Sequence, residues 1–332
     1  MNAGAGSIGA AHAREREDAI RAAFAAAGVE VEIHACPGPK LTETARTAAA
    51  SGVDAVVAAG GDGTVSACAS ALVGGDVPLA VLPLGTLNHF ARDLGMPDDL
   101  AEAARAIADG SLERVDAGEV NGRTFVNNSS IGLYPAIVRA RDADQRKTGH
   151  GKWRAFLAAT WRVLRRFPLL SVLLKTEKGS VVTRTPFVFI GNNDYKVSPL
   201  ALGQRDRLDG GALCLYTIRA RSRLKMFWLM LRAAIQNLDA IADFENHSVT
   251  EVEVKLPSSR VQVALDGEVA TLTSPLRYAI RAGALPVIRP RAAASTQDEP
   301  EAAKVEAAAT QHQPEATEAK AGAAKARQDA AA

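Results

Sequence analysis

The first third of the chain alternates helical and strand-like patterns of apolar and polar residues. Residues 10–27 are rich in alanine and charged on one side, which predicts a helix that stops at Gly28. The segment 29–35 alternates apolar and polar positions and predicts a half-exposed strand. A second helix is predicted at about 39–51, and the almost wholly apolar run 53–59 predicts a buried central strand.

The residues that follow continue this order of strand and helix. A third helix is predicted from about Thr64, and an apolar strand at 77–83 comes after it. The resulting β-α-β-α-β order predicts a parallel sheet with helices on both faces. Residues 1–7 have the composition of a loop after a first strand, which indicates either a start upstream of Met1 or a sheet without one edge strand.

Beyond about residue 112 the pattern changes to short strands joined by tight turns. Asn121-Gly122 stands between two strand-like runs, and a second pair of runs turns at Lys178-Gly179, so each pair predicts a β-hairpin. Further strands are predicted at 212–218, 250–256, 260–272 and 276–282, and helices near 153–167 and 222–240. We therefore expect this half to be mainly antiparallel β-structure.

The patterns together predict two folded domains and a tail. Residues 1–115 are expected to form an α/β domain. Residues 116–290 are expected to form a mainly antiparallel β-sandwich domain, whose last strand is a candidate for return to the first domain. Residues 291–332 are mostly Ala, Glu, Gln, Lys and Pro and include no aromatic residue, which is typical of a disordered low-complexity tail, with a marginal helix as the alternative.

Composition and charge exclude several classes of protein. Lys and Arg number 39 against 37 Asp and Glu, so the net charge of +2 gives no reason to expect nucleic-acid binding. Cys36, Cys68 and Cys214 are far apart and form no metal-ligand pair, which favours buried free thiols in a reducing compartment. No uncharged apolar run approaches the roughly 20 residues of a membrane span, so we expect a cytoplasmic protein.

The strongest chemical signal is the glycine-rich turn GGDGT at residues 60–64, directly after the predicted strand 53–59. Its glycines let the backbone approach a phosphate closely, and the helix that follows adds its positive N-terminal end. Asp62, held beside such phosphates, suits a role linked to Mg²⁺. A simple strand-to-helix turn is the alternative, although it does not require so many glycines.

A second loop follows the next apolar strand in the same way. The segment PLGTLN at residues 83–88 opens a helix, and the side chains of Thr86 and Asn88 can offer hydrogen bonds to a nucleotide. Asn88 can equally act as the helix N-cap. Because ligands of open α/β sheets bind at the carboxyl ends of the strands, we expect both loops to share one crevice.

Residues 4–9 match the pattern G-x-G-x-x-G of dinucleotide-binding proteins, and Glu30 and Glu32 lie in the next predicted strand. A single match of this kind is a weak signal, and the strand that should precede it is missing. A hydride-transfer enzyme is therefore not favoured. A phosphate-facing loop at this position remains the interpretation.

Three motifs in order resemble the diacylglycerol kinase catalytic-domain family, in its bacterial lipid kinase branch, which is related to sphingosine and ceramide kinases. They are GGDGTVSACASAL from Gly60, LPLGTLNHFARDLGMP from Leu82, and LDGE ending at Glu268, and the resemblance extends from Asn2 to about Pro290. It implies an α/β ATP-binding domain like that of NAD kinase and diacylglycerol kinase, and then a β-sandwich lipid-substrate domain. The implied reaction is transfer of the γ-phosphate of MgATP to a lipid hydroxyl.

The resemblance also implies roles for individual residues. The catalytic set comprises Glu268 as proton acceptor, Asp266 in the same Asp-Gly-Glu segment, and Asp62. Nucleotide contacts fall on Asn2, Gly6, Gly60, Gly61, Asp62, Gly63, Thr64, Val65, Ser66, Gly85, Thr86 and Asn88. Metal contacts fall on the side chain of Asp209, on the carbonyl groups of Asp206 and Gly211, and through water on Asp62 and Asp116. Lys152 aligns with a family lysine near the site.

Several positions depart from the family pattern, and one of them, Gly211 in place of a larger residue, matters little if only its carbonyl binds metal. Ala3 stands in place of a proline in the first phosphate loop, and His89 stands where many members have aspartate. The predicted strand that ends before Cys36 lacks a threonine that relatives often offer to the nucleotide. The other departures concern one phosphate loop, one water-mediated metal contact and one nucleotide contact.

Two other functions stay open beside the lipid kinase. One is a soluble kinase like NAD kinase, although the Thr-Pro-x-Gly-Ser-x-Ala segment of those enzymes is absent from the sequence. The other is an inactive nucleotide-binding or lipid-binding protein, although Asp62, Asp209 and Glu268 are all retained. The Asp-Gly-Glu segment can also be no more than a hairpin turn.

A basic and aromatic segment at 139–166 predicts contact with an anionic membrane surface, and a solvated face over a core-packed helix is the alternative. Its basic residues are Arg139, Arg141, Arg146, Lys147, Lys152, Arg154, Arg162, Arg165 and Arg166, with Trp153, Phe156 and Trp161 among them. We therefore expect a cytoplasmic enzyme that is peripheral to the inner face of the membrane. The sequence does not distinguish a monomer from a homodimer, or one lipid substrate from another.

Overall fold

The structure is a computed structural model that describes residue 1 and residues 10–132, 169–177, 179–195, 205, 207–218 and 244–291. Several sequence predictions lie outside these residues. They are the helices near 153–167 and 222–240 and the tail beyond residue 291.

The first part of the chain folds as alternating helices and parallel strands, as predicted. Its elements are α1 (Ala10–Ala26), a 3-10 turn (Gly38–Lys40), α2 (Leu41–Ala50), β1 (Val56–Gly60), α3 (Asp62–Leu72), β2 (Leu79–Pro83), α4 (His89–Asp93) and α5 (Leu100–Ala108). Strands β1 and β2 pair in parallel with Val57 opposite Ala80. Gly28 and Gly52 have φ of 73° and 83°, so the left-handed residues that end α1 and α2 are glycines.

The strand predicted at 29–35 is wrong. Its alternation is real, since Val31 and Ile33 pack against the core, but the segment is extended without a ladder. In the described part of the chain its only β-type bonds are with Met1, whose ammonium donates to the His34 carbonyl at 2.8 Å and whose carbonyl accepts from Cys36 at 3.0 Å. A strand needs a neighbour over several residues as well as an apolar face.

Helix α5 is an element that the sequence analysis did not predict. Asp99 is its N-cap, and its Oδ1 accepts the N–H groups of Ala101 and Glu102, each at 3.0 Å. Its buried face carries Ala104 and Ile107. The capping aspartate followed by buried positions at helical spacing is the signal that could have identified it.

The second part of the chain is antiparallel β-structure. Its strands are β3 (Ser111–Val120), β4 (Arg123–Phe125), β5 (Asn128–Gly132), β6 (Leu170–Thr176), β7 (Gly179–Thr185), β8 (Phe187–Asn192), β9 (Leu213–Ile218), β10 (Phe244–Val249), β11 (Glu251–Lys255), β12 (Arg260–Leu265), β13 (Glu268–Thr273) and β14 (Leu276–Arg289). Both predicted hairpins are confirmed, because β3 pairs with β4 and β6 with β7. Asn121 and Gly122 have φ of 47° and 78°, as a tight hairpin turn requires.

Strand β14 joins the two parts of the described chain in one sheet. The order is β1-β2-β14-β11-β6-β7, with β3 also paired to β14 and β4 to β3. Near its C-terminal end, β14 pairs in parallel with β2, and Val287 lies opposite Leu79. Along most of its length, β14 pairs with β3 in antiparallel orientation. This strand comes from the second half of the chain and pairs with a strand of the first half. The predicted division of the chain at about residue 115 therefore stays a prediction.

A second sheet packs on part of the first and forms the sandwich. Its order is β10-β9-β8-β5-β12-β13. Ile190, Leu215 and Val263 from this sheet share a buried core with Val254 and Tyr278 from the first. The described residues up to 291 belong to one compact unit.

The described residues bear on two further expectations, which concern the cysteines and membrane-spanning helices. The three cysteines are buried and free of disulfides, as predicted. Burial raises the pKa of the Cys68 thiol to about 11, so this thiol is unreactive at neutral pH. Among the described helices, none is both long and apolar enough to cross a membrane.

Candidate active site

The glycine-rich turn lies where β1 ends and α3 begins. Gly61 is the N-cap of α3, and its carbonyl accepts the N–H groups of Thr64 at 2.8 Å and Val65 at 3.1 Å. The N–H groups of Asp62 and Gly63 come before the hydrogen-bond ladder of the helix and have no helical acceptor. They add their donors to the positive end of the helix, which is an arrangement that binds phosphate groups.

Gly60 is required because Thr64 fills the space beside it. A Cβ added at Gly60 would overlap the Thr64 side chain, which is buried. Val65 is also buried in the core, so its side chain is not available to a nucleotide. Among the nucleotide contacts predicted here, Thr64 and Val65 can take part only through their backbone.

The second loop touches the first through backbone atoms. The N–H of Leu84 donates to the Gly60 carbonyl at 3.0 Å, and a Cβ added at Gly61 would lie 3.2 Å from the Cα of Gly85. A Cβ at Gly85 would collide with Gly61 and lie 2.6 Å from Oδ1 of Asn88. The two predicted loops therefore share one crevice, and glycine is needed on both sides of the contact.

Asn88 stands at the N-cap position of α4, as predicted, but its side chain closes its own loop instead of capping the helix. It is left-handed with φ of 49°, and its side chain accepts from the Gly85 N–H at 3.0 Å and donates to the Gly85 carbonyl at 3.1 Å. The buried amide is thus occupied within the loop, whereas Thr86 is exposed. The Asp62 carboxylate supplies the cap to α4, since Oδ1 accepts the N–H of Phe90 at 3.4 Å.

We expect Gly85→Ala to lower the free energy of unfolding by about 1–3 kcal/mol, because overpacking at a backbone contact forces a shift. The same shift moves the glycine loops and should reduce nucleotide affinity. Urea unfolding and calorimetric titration with ATP measure the two effects. Gly38→Ala is the matched control, because nothing lies within 4 Å of the added Cβ. Equal stability and affinity in both variants would contradict the close contact.

The Asp-Gly-Glu hairpin approaches the glycine loops from the sandwich. Strands β12 and β13 turn at Asp266 and Gly267, whose φ values are 47° and 89°. Glu268 is the first residue of β13 and is exposed. Its Oε1 lies 3.0 Å from the position that a Cβ on Gly63 would take. The carboxylate therefore lies directly against the start of α3.

Asp266 has a different environment from Glu268. Its Oδ2 accepts the N–H of Val126 at 2.9 Å, and its Oδ1 accepts those of Asn127 at 2.8 Å and Asn128 at 3.0 Å. The nearby Ser66 hydroxyl also acts to lower the pKa of this carboxylate. Burial raises the pKa of Asp266 above its ordinary value, and these hydrogen bonds oppose the rise. The carboxylate is thus held by three backbone donors from the segment 126–128.

Three of the predicted metal residues, Asp116, Asp209 and Gly211, lie in the segment 207–211 or against it. Asp116 is buried and accepts the N–H of Gly211 at 2.7 Å and that of Gly283 at 2.8 Å. Asp209 is exposed and accepts from Arg207 at 3.1 Å, and this hydrogen bond holds the pKa of Asp209 below its ordinary value. Over the described part of the chain, no three His, Cys, Asp or Glu side chains cluster as metal ligands.

One buried side chain beside this segment has polar atoms without partners among the described residues. Asn193 is 3% exposed, and neither its Oδ1 nor its Nδ2 makes a hydrogen bond with any residue that the structure describes. Its Oδ1 would lie 2.7 Å from a Cβ on Gly210, so the amide is next to the segment. Oxygen from carboxylate, amide and carbonyl groups is the donor type that Mg²⁺ prefers. The residues present therefore fit the implied ion.

The remaining predicted site residues lie outside the described part of the chain. They are Asn2, Gly6, Asp206 and Lys152, together with the basic and aromatic segment at 139–166. One residue of this region was not predicted from the sequence: Arg205 is buried and lies between α4 and the strands of the sandwich. No local motif marks this arginine.

Comparison with known proteins shows the family of the chain. A family model described as the diacylglycerol kinase catalytic domain matches residues 2–120. A diacylglycerol kinase of Mycobacterium tuberculosis is 33% identical over 258 residues, which is 74% of this chain and 79% of the relative. A diacylglycerol kinase of Bacillus subtilis is 41% identical over 120 residues, 35% of this chain and 39% of the relative.

A solved structure of a diacylglycerol kinase from Bacillus anthracis has the same fold. The TM-score is 0.62 at 21% identity, over 87% of this chain and 94% of that chain. The sequence relationship, which covers most of both proteins for the mycobacterial relative, is the stronger result. The chain therefore belongs to the diacylglycerol kinase family of phosphotransferases that use an alcohol group as acceptor.

Proposed function

We propose that the protein is an ATP-dependent lipid kinase that transfers the γ-phosphate of MgATP to a hydroxyl group of a lipid of diacylglycerol or sphingoid type. The observation that supports this most directly is the position of Glu268 beside Gly63. It sets a carboxylate against backbone donors suited to phosphate, in a chain of this family. Such a pair suits phosphoryl transfer to an alcohol.

The glycine loops are assigned to the phosphate groups. The N–H groups of Asp62 and Gly63 and the positive end of α3 would stabilise the charge on the transferred phosphoryl group. The backbone contact between Gly61 and Gly85 leaves no side chain to keep the phosphates at a distance. These groups are fixed before the substrate binds, so little reorganisation is needed during transfer.

Glu268 is assigned to the lipid hydroxyl. A bond forms between the hydroxyl oxygen and the γ-phosphorus, the bond from that phosphorus to the β–γ bridging oxygen breaks, and the hydroxyl proton passes to the carboxylate. Asp266, predicted as catalytic, has both oxygens engaged by backbone N–H groups. We therefore assign it to positioning the hairpin that carries Glu268.

Asp62, Asp116, Asp209 and Asn193 are the residues that would hold Mg²⁺ directly or through water. When bound, the ion supplies neutralisation of phosphate charge. Asp62 also caps α4, so its carboxylate is held at the junction of the two glycine loops. The chain thus offers a fixed carboxylate where phosphate charge needs balancing.

A transfer assay tests the proposed function. Radiolabelled γ-phosphate should appear in an organic-phase product with diacylglycerol, phosphatidylglycerol, sphingosine or ceramide as acceptor. NAD serves as the acceptor for the soluble-kinase alternative. Label transferred only to NAD would replace the proposal by that alternative. Label transferred to no acceptor, with ATP binding intact, would favour an inactive binding protein.

We expect the enzyme to act at the inner face of the membrane, through the segment at 139–166. Replacing Arg162, Arg165 and Arg166 together by glutamine should reduce binding to vesicles that contain anionic lipid, because each nearby basic residue contributes about 1 kcal/mol. Co-sedimentation measures the bound fraction. The control replaces the same number of charges on α1, at Arg14, Arg16 and Arg21. Unchanged binding in the first variant would argue against this membrane contact.

A further inference from the structure

Arg205 is a fully enclosed charge at the junction of α4 and the sandwich. Its side chain has no exposed surface, and that of Asp93 is only 2% exposed. The guanidinium also lies over the rings of Phe90 and Tyr195, at 5.9 Å and 5.5 Å. Burying a charge is costly unless it is paired and hydrogen-bonded, so such a side chain needs an explanation.

All three nitrogens of this guanidinium lie beside oxygen atoms. Nε and one terminal nitrogen lie 2.8 Å and 2.7 Å from Oδ2 of Asp93. The same terminal nitrogen donates to Oδ1 of Asn127 at 2.9 Å. The other donates to the carbonyl groups of Val126 at 2.7 Å and Asn192 at 3.0 Å. The planar arginine fork thus makes four hydrogen bonds and an ion pair in fixed directions, which an ammonium group cannot reproduce.

One side of this arrangement leads to the glycine loops. Asp93 is the last residue of α4, a helix of only five residues. The N–H of Phe90 in that helix donates to Asp62, and Asn88, just before the helix, closes on Gly85. A shift of Asp93 would therefore be transmitted over little more than one helical turn to both loops.

The other side leads to Glu268. The carbonyl of Val126 and the side chain of Asn127 accept from Arg205. The N–H groups of these two residues donate to Asp266, two positions before Glu268. The segment 126–127 is thus held by Arg205 on one side and by the Asp266 carboxylate on the other.

We propose that Arg205 is a positioning residue that sets the place of Glu268 relative to the glycine loops. The inference rests on the proposed function, because it concerns phosphoryl transfer between these two groups. Arg205 touches neither the phosphate nor the alcohol in this role. It acts through Asp93 towards the donor side and through Val126 and Asn127 towards the acceptor side.

The first test is Arg205→Lys, with a lipid that the unmodified protein phosphorylates. We expect kcat per nucleotide-binding molecule to fall at least about tenfold and Kd for ATP to change by less than about threefold, because misplacement affects transfer more than binding. Asp93→Glu is a second variant that keeps both charges and moves α4 by one methylene. For Asp93→Glu we likewise expect a lower kcat and an almost unchanged Kd for ATP.

A double-mutant cycle with Glu268→Asp distinguishes the positioning role of Arg205 from a purely structural role. If Arg205 acts by placing Glu268, the effects of Arg205→Lys and Glu268→Asp on the activation free energy, calculated from kcat, are non-additive. Multiplicative effects, or a lower Tm with an unchanged kcat in the molecules that still bind nucleotide, would overturn the proposal. Arg46→Lys, which changes an exposed ion pair with Glu43, is the control for arginine replacement.

The failures of the two proposals are distinguishable. Lipid phosphorylation at the wild-type kcat in both Arg205→Lys and Asp93→Glu would remove the positioning role and leave the proposed function intact. If the unmodified protein phosphorylates no lipid, the proposed function fails, and the positioning role fails with it.

Discussion

Glu268→Gln is expected to lower the rate of phosphoryl transfer by about 10²–10⁴-fold, because the amide cannot accept the proton of the alcohol. The substitution keeps the size of the side chain, and Glu268 is exposed at the start of β13, so no buried group loses its partner. ATP binding should persist, since the phosphate donors belong to the backbone of the glycine turn. Single-turnover transfer of radiolabelled phosphate and calorimetric titration with ATP measure the two quantities.

Glu251→Gln is the matched control for this variant. Glu251 is likewise exposed and begins strand β11 of the sandwich, but its own contact in the described structure is through its backbone N–H. Its rate should equal that of the unmodified protein. A Glu268→Gln protein that transfers phosphate at the full rate would remove the assigned proton acceptor. A protein that loses ATP binding as well would place Glu268 in nucleotide binding.

Elements whose geometry depends on a few consecutive residues could be predicted from the sequence. Asn121-Gly122 and Asp266-Gly267 both take positive φ, which these residue types adopt at low cost, so both turns follow from local composition. The glycine turn after β1 follows from the same kind of information. An apolar parallel strand leads into glycines, and the sheet then brings its neighbour's loop to the same edge.

Contacts between distant residues could not be predicted in this way. Arg205 and Asp93 are 112 positions apart, and neither has a local pattern that indicates burial or pairing. The segment 29–35 shows the converse case, because its alternation predicts a half-buried face without telling which strand lies beside it. Helix α4 adds a third case, since its cap comes from Asp62 in another loop and not from the adjacent Asn88.

The roles within the Asp-Gly-Glu segment also depend on three-dimensional information. The sequence presents two carboxylates two residues apart, and the resemblance to lipid kinases puts both in the catalytic set. The structure separates their environments, since Asp266 is enclosed by N–H donors while Glu268 is exposed beside Gly63. Two similar side chains in one turn can therefore carry different tasks, one of holding and one of reacting.

Asp266→Ala is expected to lower the free energy of unfolding by roughly 3–5 kcal/mol, because each buried donor left without an acceptor costs about 1–3 kcal/mol. The N–H groups of Val126, Asn127 and Asn128 would all lose the same acceptor. Water that enters the space would recover part of the loss, so the costs do not add in full. Equilibrium unfolding in urea measures the change.

Asp266→Asn separates this holding role from simple loss of packing. Asparagine keeps one acceptor oxygen but turns an amide NH₂ towards backbone N–H groups, so an intermediate loss of stability is expected. Because Glu268 remains chemically intact, any fall in kcat of the folded variant reports its displacement. Asp54→Ala, at an exposed aspartate in the turn before β1, is the control and should unfold like the unmodified protein. An unchanged urea midpoint in Asp266→Ala would show that the enclosed carboxylate does not hold the hairpin.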